Sequence, residues 1–230
     1  MIELNEILVK KLEEVARNGL LKTNNLYANY KNEILKAYLI RAIEETFLNL
    51  FNSGHLSGTV HTCIGQELCG VAVCKYLRPD DWITSNHRCH GHFISKTNDW
   101  KGLVDELLGL KTGVSKGIGS SQHLFKSNFI SNGTQGSLLP VATGLGLVNK
   151  KINKSGIAVS FIGEGTLGEG NVYEAMNLSS LLNSPHLFVC ENNLYSTESH
   201  AKIRQPRETT LSDRVRSFNI NAKIVNINDI

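Results

Sequence analysis

Residues 156–193 read GIAVSFIGEGTLGEGNVYEAMNLSSLLNSPHLFVCENN. Gly156–Ile162 is a short apolar run rich in strand formers, and a glycine-rich turn follows at 163–170. The stretch NVYEAMNLSSLL has a helical period, Pro185 breaks the chain, and His186–Cys190 is a second strand. Strand, glycine turn, helix and strand make a βαβ unit. The fold class expected is therefore α/β, a mostly parallel sheet flanked by helices. Ligands of such sheets sit at the carboxyl ends of the strands. Here those ends carry the glycine turn and Glu191-Asn192-Asn193.

Working outward, Leu138–Asn149 reads as a helix, Asp213–Phe218 as a short one, and Ala222–Ile227 as another strand. Upstream, helices are expected over 3–19, about 30–52 (Ile34, Leu35, Tyr38, Leu39, Ile43 and Phe47 at the 3.6-residue period), 65–77 and 100–110. Arg78-Pro79-Asp80-Asp81 is a turn and Trp82–Ser85 a short strand. The Gly/Ser/Lys/Asn-rich stretch from Lys111 to Gly136 is too long for an idle loop, so it is read as functional or mobile. The expected division is a helical extension at 1–29 and an α/β domain at 30–230.

The 230 residues carry 24 Lys+Arg and 21 Asp+Glu, a net charge of +3, with 41% hydrophobic and 20% charged residues. Those values exclude disorder and give no argument for a nucleic-acid partner. Five cysteines, an odd number without a CxxC pair, argue against a disulfide framework and for a reducing, cytoplasmic setting. No apolar run approaches the ~18 residues of a membrane span.

GEGTLG (163–168) is a literal G-x-G-x-x-G after a strand, and Glu191 lies 23 residues past Gly168, near where a dinucleotide fold keeps its ribose acid. A nicotinamide or flavin dinucleotide is the obvious reading. Glu164 argues against it. A carboxylate between the two glycines repels a bare diphosphate held by backbone N–H groups unless a cation lies between them. A hard divalent ion such as Mg²⁺ supplies that bridge. Glu164, the Asn193 side-chain carbonyl and the Tyr195 main-chain carbonyl then offer three protein oxygens to the metal.

Gly163-Glu164-Gly165 followed by Asn193, 29 residues after Glu164, resembles the thiamine diphosphate motif. HTCIGQE (61–67), NHRCHGH (86–92), GIGSSQHLF (117–125) and GTQGSLLPVATGLG (133–146) narrow the resemblance to the alpha subunit of 2-oxo acid dehydrogenases of pyruvate, branched-chain or acetoin type. These pieces run in the family's order from about residue 30 to the end.

The resemblance implies a thiamine diphosphate-binding fold, with this chain as its diphosphate-binding half. It implies thiamine diphosphate and Mg²⁺ as cofactors and Gly163, Glu164, Gly165, Thr166, Asn193 and Tyr195 as the metal–diphosphate site. Glu164, which stands where the family usually has Asp, would ligate the metal with Asn193 and Tyr195. His87 and Arg88 match a Tyr-Arg pair on the diphosphate; the Arg fork suits phosphate oxygens. Gly133 and Gln135 match a loop touching the aminopyrimidine, where an apolar residue is common at the Gln135 position. His61 matches a histidine lining the substrate pocket and is the catalytic candidate. Read from the pattern alone, His61 is equally a cap or a satisfied core residue. His87, Cys89, His90 and His92 would otherwise read as a zinc cluster, at a spacing tighter than structural zinc sites use.

By the same resemblance the partners are a beta subunit in an α2β2 assembly, a lipoyl-bearing acyltransferase and a small 2-oxo acid, with no nucleic acid or membrane. The glutamate that activates the aminopyrimidine belongs to the beta chain, and the resemblance gives Glu67 no such role. Alpha chains of the family continue beyond the point where Asn228-Asp229-Ile230 ends this sequence. The alternatives are a fragment, a partner supplying the rest, or impaired catalysis. Three competing functions remain: a transketolase-type split subunit, an NAD-binding oxidoreductase, and a non-catalytic alpha-like partner.

Overall fold

A computed structural model describes residues 24–152, 155–204 and 210–226, with side chains from residue 29 onward. The helix expected at 3–19 lies outside these residues. The first described helix, α1 (Asn24–Asn52), has non-helical dihedrals at Tyr30, beside the expected domain boundary. Its Ile40, Ile43 and Phe47 are buried at helical spacing. Then come α2 (Glu67–Lys75), β1 (Trp82–Ser85), α3 (His90–Thr97) and α4 (Trp100–Leu107), whose N-cap Asp99 accepts a hydrogen bond from the Gly102 N–H at 3.0 Å. A hairpin of β2 (Phe125–Lys126) and β3 (Phe129–Ser131) leads to α5 (Leu138–Lys151). Next are β4 (Ala158–Gly163), a 3₁₀ turn (Glu164–Gly168), α6 (Gly170–Leu181) and β5 (His186–Glu191). The chain closes with a small hairpin, β6 (Tyr195–Ser196) and β7 (Ser199–His200), followed by α7 (Ala201–Arg204) and α8 (Leu211–Arg216). A capping box between Thr210 and Asp213 starts α8.

The main sheet has the order β2-β3-β1-β4-β5, parallel throughout except for the β2–β3 hairpin. β4 is an interior strand, paired on both sides, and its first five residues are buried, which is why Ala158–Ile162 is continuously apolar apart from Ser160. Strand alternation sends Val159 and Phe161 into a core with Ile40, Phe47 and Phe93, and Ile162 into a second core with Leu139, Val172 and Met176. The helices therefore cover both faces.

From β1 the chain moves outward to β3, and from β4 it moves the opposite way to β5. The strand order reverses between β1 and β4, and a crevice forms at such a reversal outside the carboxyl ends. The residues that follow β1 (Asn86, His87, Arg88) and β4 (Glu164, Gly165, Thr166) share that end of the sheet with Glu191, whose Cα is in register with Gly163.

Two readings change, and the 111–136 stretch gains an anchor. The strand read at 222–227 is absent over its described part, Ala222–Asn226. Ile224 and Val225 are each 76% exposed and meet no neighbouring strand, so their apolar character has no ladder to join. Residues 90–97 form a helix where only a histidine motif was read. The 111–136 stretch is anchored by Glu106, whose buried carboxylate accepts N–H groups of Ser115 (2.7 Å), Gly117 (2.9 Å) and Gly119 (2.6 Å).

Candidate active site

A small cavity opens at the ends of β1 and β4, lined in part by Ser85, Asn86, Gln135, Phe161 and Ile162. A chain of polar contacts crosses beside it. Thr166 Oγ1 donates to Gln135 Oε1 at 2.7 Å, and Gln135 Nε2 lies 2.6 Å from His87 Nδ1. The His87 ring meets His61 edge to face, with centroids 4.8 Å apart. Four of the expected site residues, from four separate stretches of sequence, thus form one line. Burial pushes the His87 pKa down to about 4, helped by nearby His61 and Arg88, so the ring is neutral at pH 7. The His61 pKa is also lowered, first by burial and then by Arg88 and His90.

Arg88 stands at the same end of the sheet. Its backbone N–H donates to Asn86 Oδ1 at 2.8 Å and its guanidinium to the Thr62 carbonyl at 2.6 Å. Gly133 lies against Gln122, whose side-chain oxygen occupies the space a Cβ would need. Gly136 has φ +75°, a left-handed backbone that accounts for glycine there.

The second half of the site surrounds Glu164. Its carboxylate is 3% exposed and receives the Arg204 guanidinium at 3.0 Å. Gly165 is in close packing: a Cβ there would fall 2.5 Å from Ser196 Oγ and 2.9 Å from the Arg204 guanidinium. At Gly163 nothing lies within 4 Å of a Cβ. Asn193 and Tyr195 are exposed, Asn193 on the loop entering β6 and Tyr195 at the first position of that strand, and Asn193 Oδ1 accepts the Tyr195 N–H at 3.0 Å. That turn holds Leu194 at φ +68°. Ser196, next to Tyr195, touches Gly165, so this loop lies against the 3₁₀ turn.

The donor set suits a hard cation. Glu164 is a buried carboxylate that already faces a positive charge, and the loop packed on its turn carries the Asn193 amide and the Tyr195 carbonyl, both oxygen donors. The soft alternative does not assemble. His90 binds Glu44 (3.0 Å) and Ser121, His92 binds Ser85 (2.8 Å) and Glu191 (3.1 Å), and Cys89 Sγ approaches the Ser121 carbonyl. Among the described residues no group of three or more His, Cys, Asp or Glu could hold a metal ion. The dinucleotide reading loses its acid too, because Glu191 is buried against His92 rather than open to a ribose.

The family described as "Dehydrogenase E1 component" matches residues 35–230. The chain belongs to that family. The alpha subunit of acetoin:2,6-dichlorophenolindophenol oxidoreductase from Bacillus subtilis is 36% identical over 83% of this chain and 58% of its own length. The pyruvate dehydrogenase E1 component alpha subunit of Zymomonas mobilis is 34% identical over 87% of this chain and 58% of its own. That of Rhizobium meliloti is 32% identical over 83% and 56%. This E1-family chain thus spans somewhat over half the length of these relatives.

Three groups escaped the sequence reading. Arg204 had no distinguishing signal among Lys202, Arg204 and Arg207. The Ser85–His92–Glu191 chain and the Glu44–His90 pair join residues up to 99 positions apart, which no local pattern reveals. The five cysteines are free, and burial pushes the Cys74 and Cys89 thiols up to about 12. No helix of the described residues is long and apolar enough to cross a membrane.

Proposed function

We propose that this chain is the diphosphate-binding alpha component of a thiamine diphosphate-dependent 2-oxo acid dehydrogenase, working in oxidative decarboxylation with acyl transfer to a lipoyl or similar acceptor. The observation that carries the reading is the buried Glu164 carboxylate at the end of β4, opposed by a cation and flanked by open space at Gly163. It stands at the strand reversal where an α/β sheet takes its ligand. The family membership and the names of the relatives support the same reading.

In this account Glu164, Asn193 and the Tyr195 carbonyl would hold Mg²⁺, and Gly163, Gly165 and Thr166 would border the diphosphate. Arg88 would leave the Thr62 carbonyl to grip phosphate oxygens, and His87 would donate a single hydrogen bond from a neutral ring. Gly133 and Gln135 face the aminopyrimidine, and His61 lines the substrate pocket. Bound thiamine diphosphate supplies the carbanion chemistry and the electron sink. This chain's own residues bind, orient and keep the diphosphate end fixed. A beta chain completes the site in an α2β2 assembly, with a lipoyl-bearing acyltransferase as downstream partner and the cytoplasm as the setting. The catalytic α/β unit is taken as 30–230, with 1–29 as an extension.

Calorimetric titration of thiamine diphosphate into the purified chain, with Mg²⁺ and then with chelator, tests this. Metal-dependent heat, with the chain alone or with its beta partner, is expected. No heat under any of these conditions overturns the cofactor reading.

A further inference from the structure

The line Thr166–Gln135–His87 fixes more than position. A hydroxyl donates or accepts, an amide nitrogen only donates, and an amide oxygen only accepts. In the structure the amide is oriented with its oxygen 2.7 Å from Thr166 Oγ1 and its nitrogen toward His87. That nitrogen lies 2.6 Å from His87 Nδ1 and can only donate, so Nδ1 must be the bare, accepting nitrogen. The proton of the neutral ring is then on Nε2. Among the described residues Nε2 has no hydrogen-bond partner, so its N–H is left for a ligand.

We propose that Thr166 and Gln135 are positioning residues that lock His87 in its Nε2–H tautomer, making it a fixed, uncharged donor for a phosphate oxygen of the bound diphosphate. The ligand part rests on the reading in the previous section; the tautomer lock does not. The geometry carries the claim at both ends. Thr166 is 2% exposed and sits in the 3₁₀ turn after β4, so the hydroxyl that starts the relay is rigidly placed. His87 follows β1 across the strand reversal, so the relay spans the crevice. A ring whose pKa is about 4 stays neutral through the physiological range, and the lock therefore decides which nitrogen donates. Arg88 supplies charge to a diphosphate and His87 supplies direction, a division of labour suited to an anion whose oxygens must point one way.

The test uses the full chain labelled with ¹⁵N-histidine and a long-range proton–nitrogen correlation spectrum at pH 7, with the His87 signals assigned by their loss in His87→Asn. The expected spectrum shows a protonated Nε2 and a bare Nδ1 on His87. In Thr166→Val and in Gln135→Val those signals move toward a mixture of tautomers, and Thr166→Ser retains the wild-type pattern. A protonated Nδ1 in the wild type, or an unchanged His87 pattern in both valine variants, overturns the lock. Thiamine diphosphate with Mg²⁺ is then titrated calorimetrically. Each valine variant is expected to bind about tenfold more weakly, with little further loss in the double variant, as for one hydrogen-bond unit. Wild-type binding with unchanged affinity in the variants overturns the ligand part alone. No wild-type binding defeats the cofactor reading and leaves the lock to be decided by the spectrum.

Discussion

His92 Nε2 lies 3.1 Å from Glu191 Oε1, and its other ring nitrogen lies 2.8 Å from Ser85 Oγ. One imidazole, stacked on Phe161 with centroids 3.8 Å apart, thereby joins the carboxyl ends of β1 and β5 across β4. Burial by itself would raise the Glu191 pKa, but His92, the Cys69 thiol and Arg88 outweigh it and hold the carboxyl below its usual range. Removing the imidazole leaves a buried carboxylate with a partner missing. His92→Phe is expected to destabilise the chain by about 3 kcal/mol in urea unfolding at neutral pH. Glu191→Gln, which keeps an acceptor for the ring, is expected to lose about 1 kcal/mol.

The Glu44–His90 pair, fully buried, gives a pH signature. Burial disfavours both charges, yet the pairing wins on each side: the Glu44 pKa is lowered from 4.5 and that of His90 is raised from 6.5. A lowered carboxyl contributes stability above its unfolded pKa and loses it as pH falls through the folded value. A raised imidazole contributes fully below its unfolded pKa and loses that as pH rises through the folded value. The coupling between Glu44→Gln and His90→Asn in a double-mutant cycle is therefore expected to be greatest between pH about 4.5 and about 6.5 and to decline on either side. A coupling that grows steadily above that window contradicts the pairing.

Two glycines of the turn separate a packing requirement from a motif letter. Gly165→Ala places a methyl against Ser196 and Arg204, and overpacking of that kind is expected to cost about 1–3 kcal/mol. Gly163→Ala meets open space at φ −80°, and its thermal midpoint is expected to stay within the change of about 0.5 kcal/mol typical of benign sites. Thermal unfolding of the two variants side by side checks the contrast.

Glu106 organises the segment from Ser115 to Gly119 through three backbone N–H groups. Glu106→Gln turns part of that acceptor into a donor facing donors. Limited proteolysis of the variant is expected to cut first within 111–119, while the wild type resists there, and stability is expected to fall by about 2 kcal/mol.

The β4–α6–β5 unit was legible because its signals are local: a continuous apolar strand, a glycine turn, a 3.6-residue period and Pro185. Trp82–Ser85 was likewise legible, and the structure gives the same bounds. The helix at His90–Thr97 was not, because HGHFISKT has polar residues that it buries: His90 and His92 spend their nitrogens on Glu44, Ser121, Ser85 and Glu191. Ile224 and Val225 misled in the other direction, since strand-forming side chains make a strand only where an edge accepts them. At the site, the residues were named by their motif, but their connections were not. That Gln135 joins His87 to Thr166 depends on the β1–β4 adjacency, and the Arg204 pairing with Glu164 on how the chain folds back after β7.

The central claim is a metal–diphosphate site at the end of β4. Its most direct test is a crystal of the chain, with its beta partner if binding requires one, soaked with thiamine diphosphate and Mn²⁺ and measured for anomalous scattering. The account expects one manganese peak about 2.0–2.3 Å from Glu164, Asn193 and the Tyr195 carbonyl, with the diphosphate completing its shell and Arg204 displaced from Glu164. A bound cofactor whose metal lies elsewhere, or Glu164 still paired with Arg204 beneath it, contradicts the account.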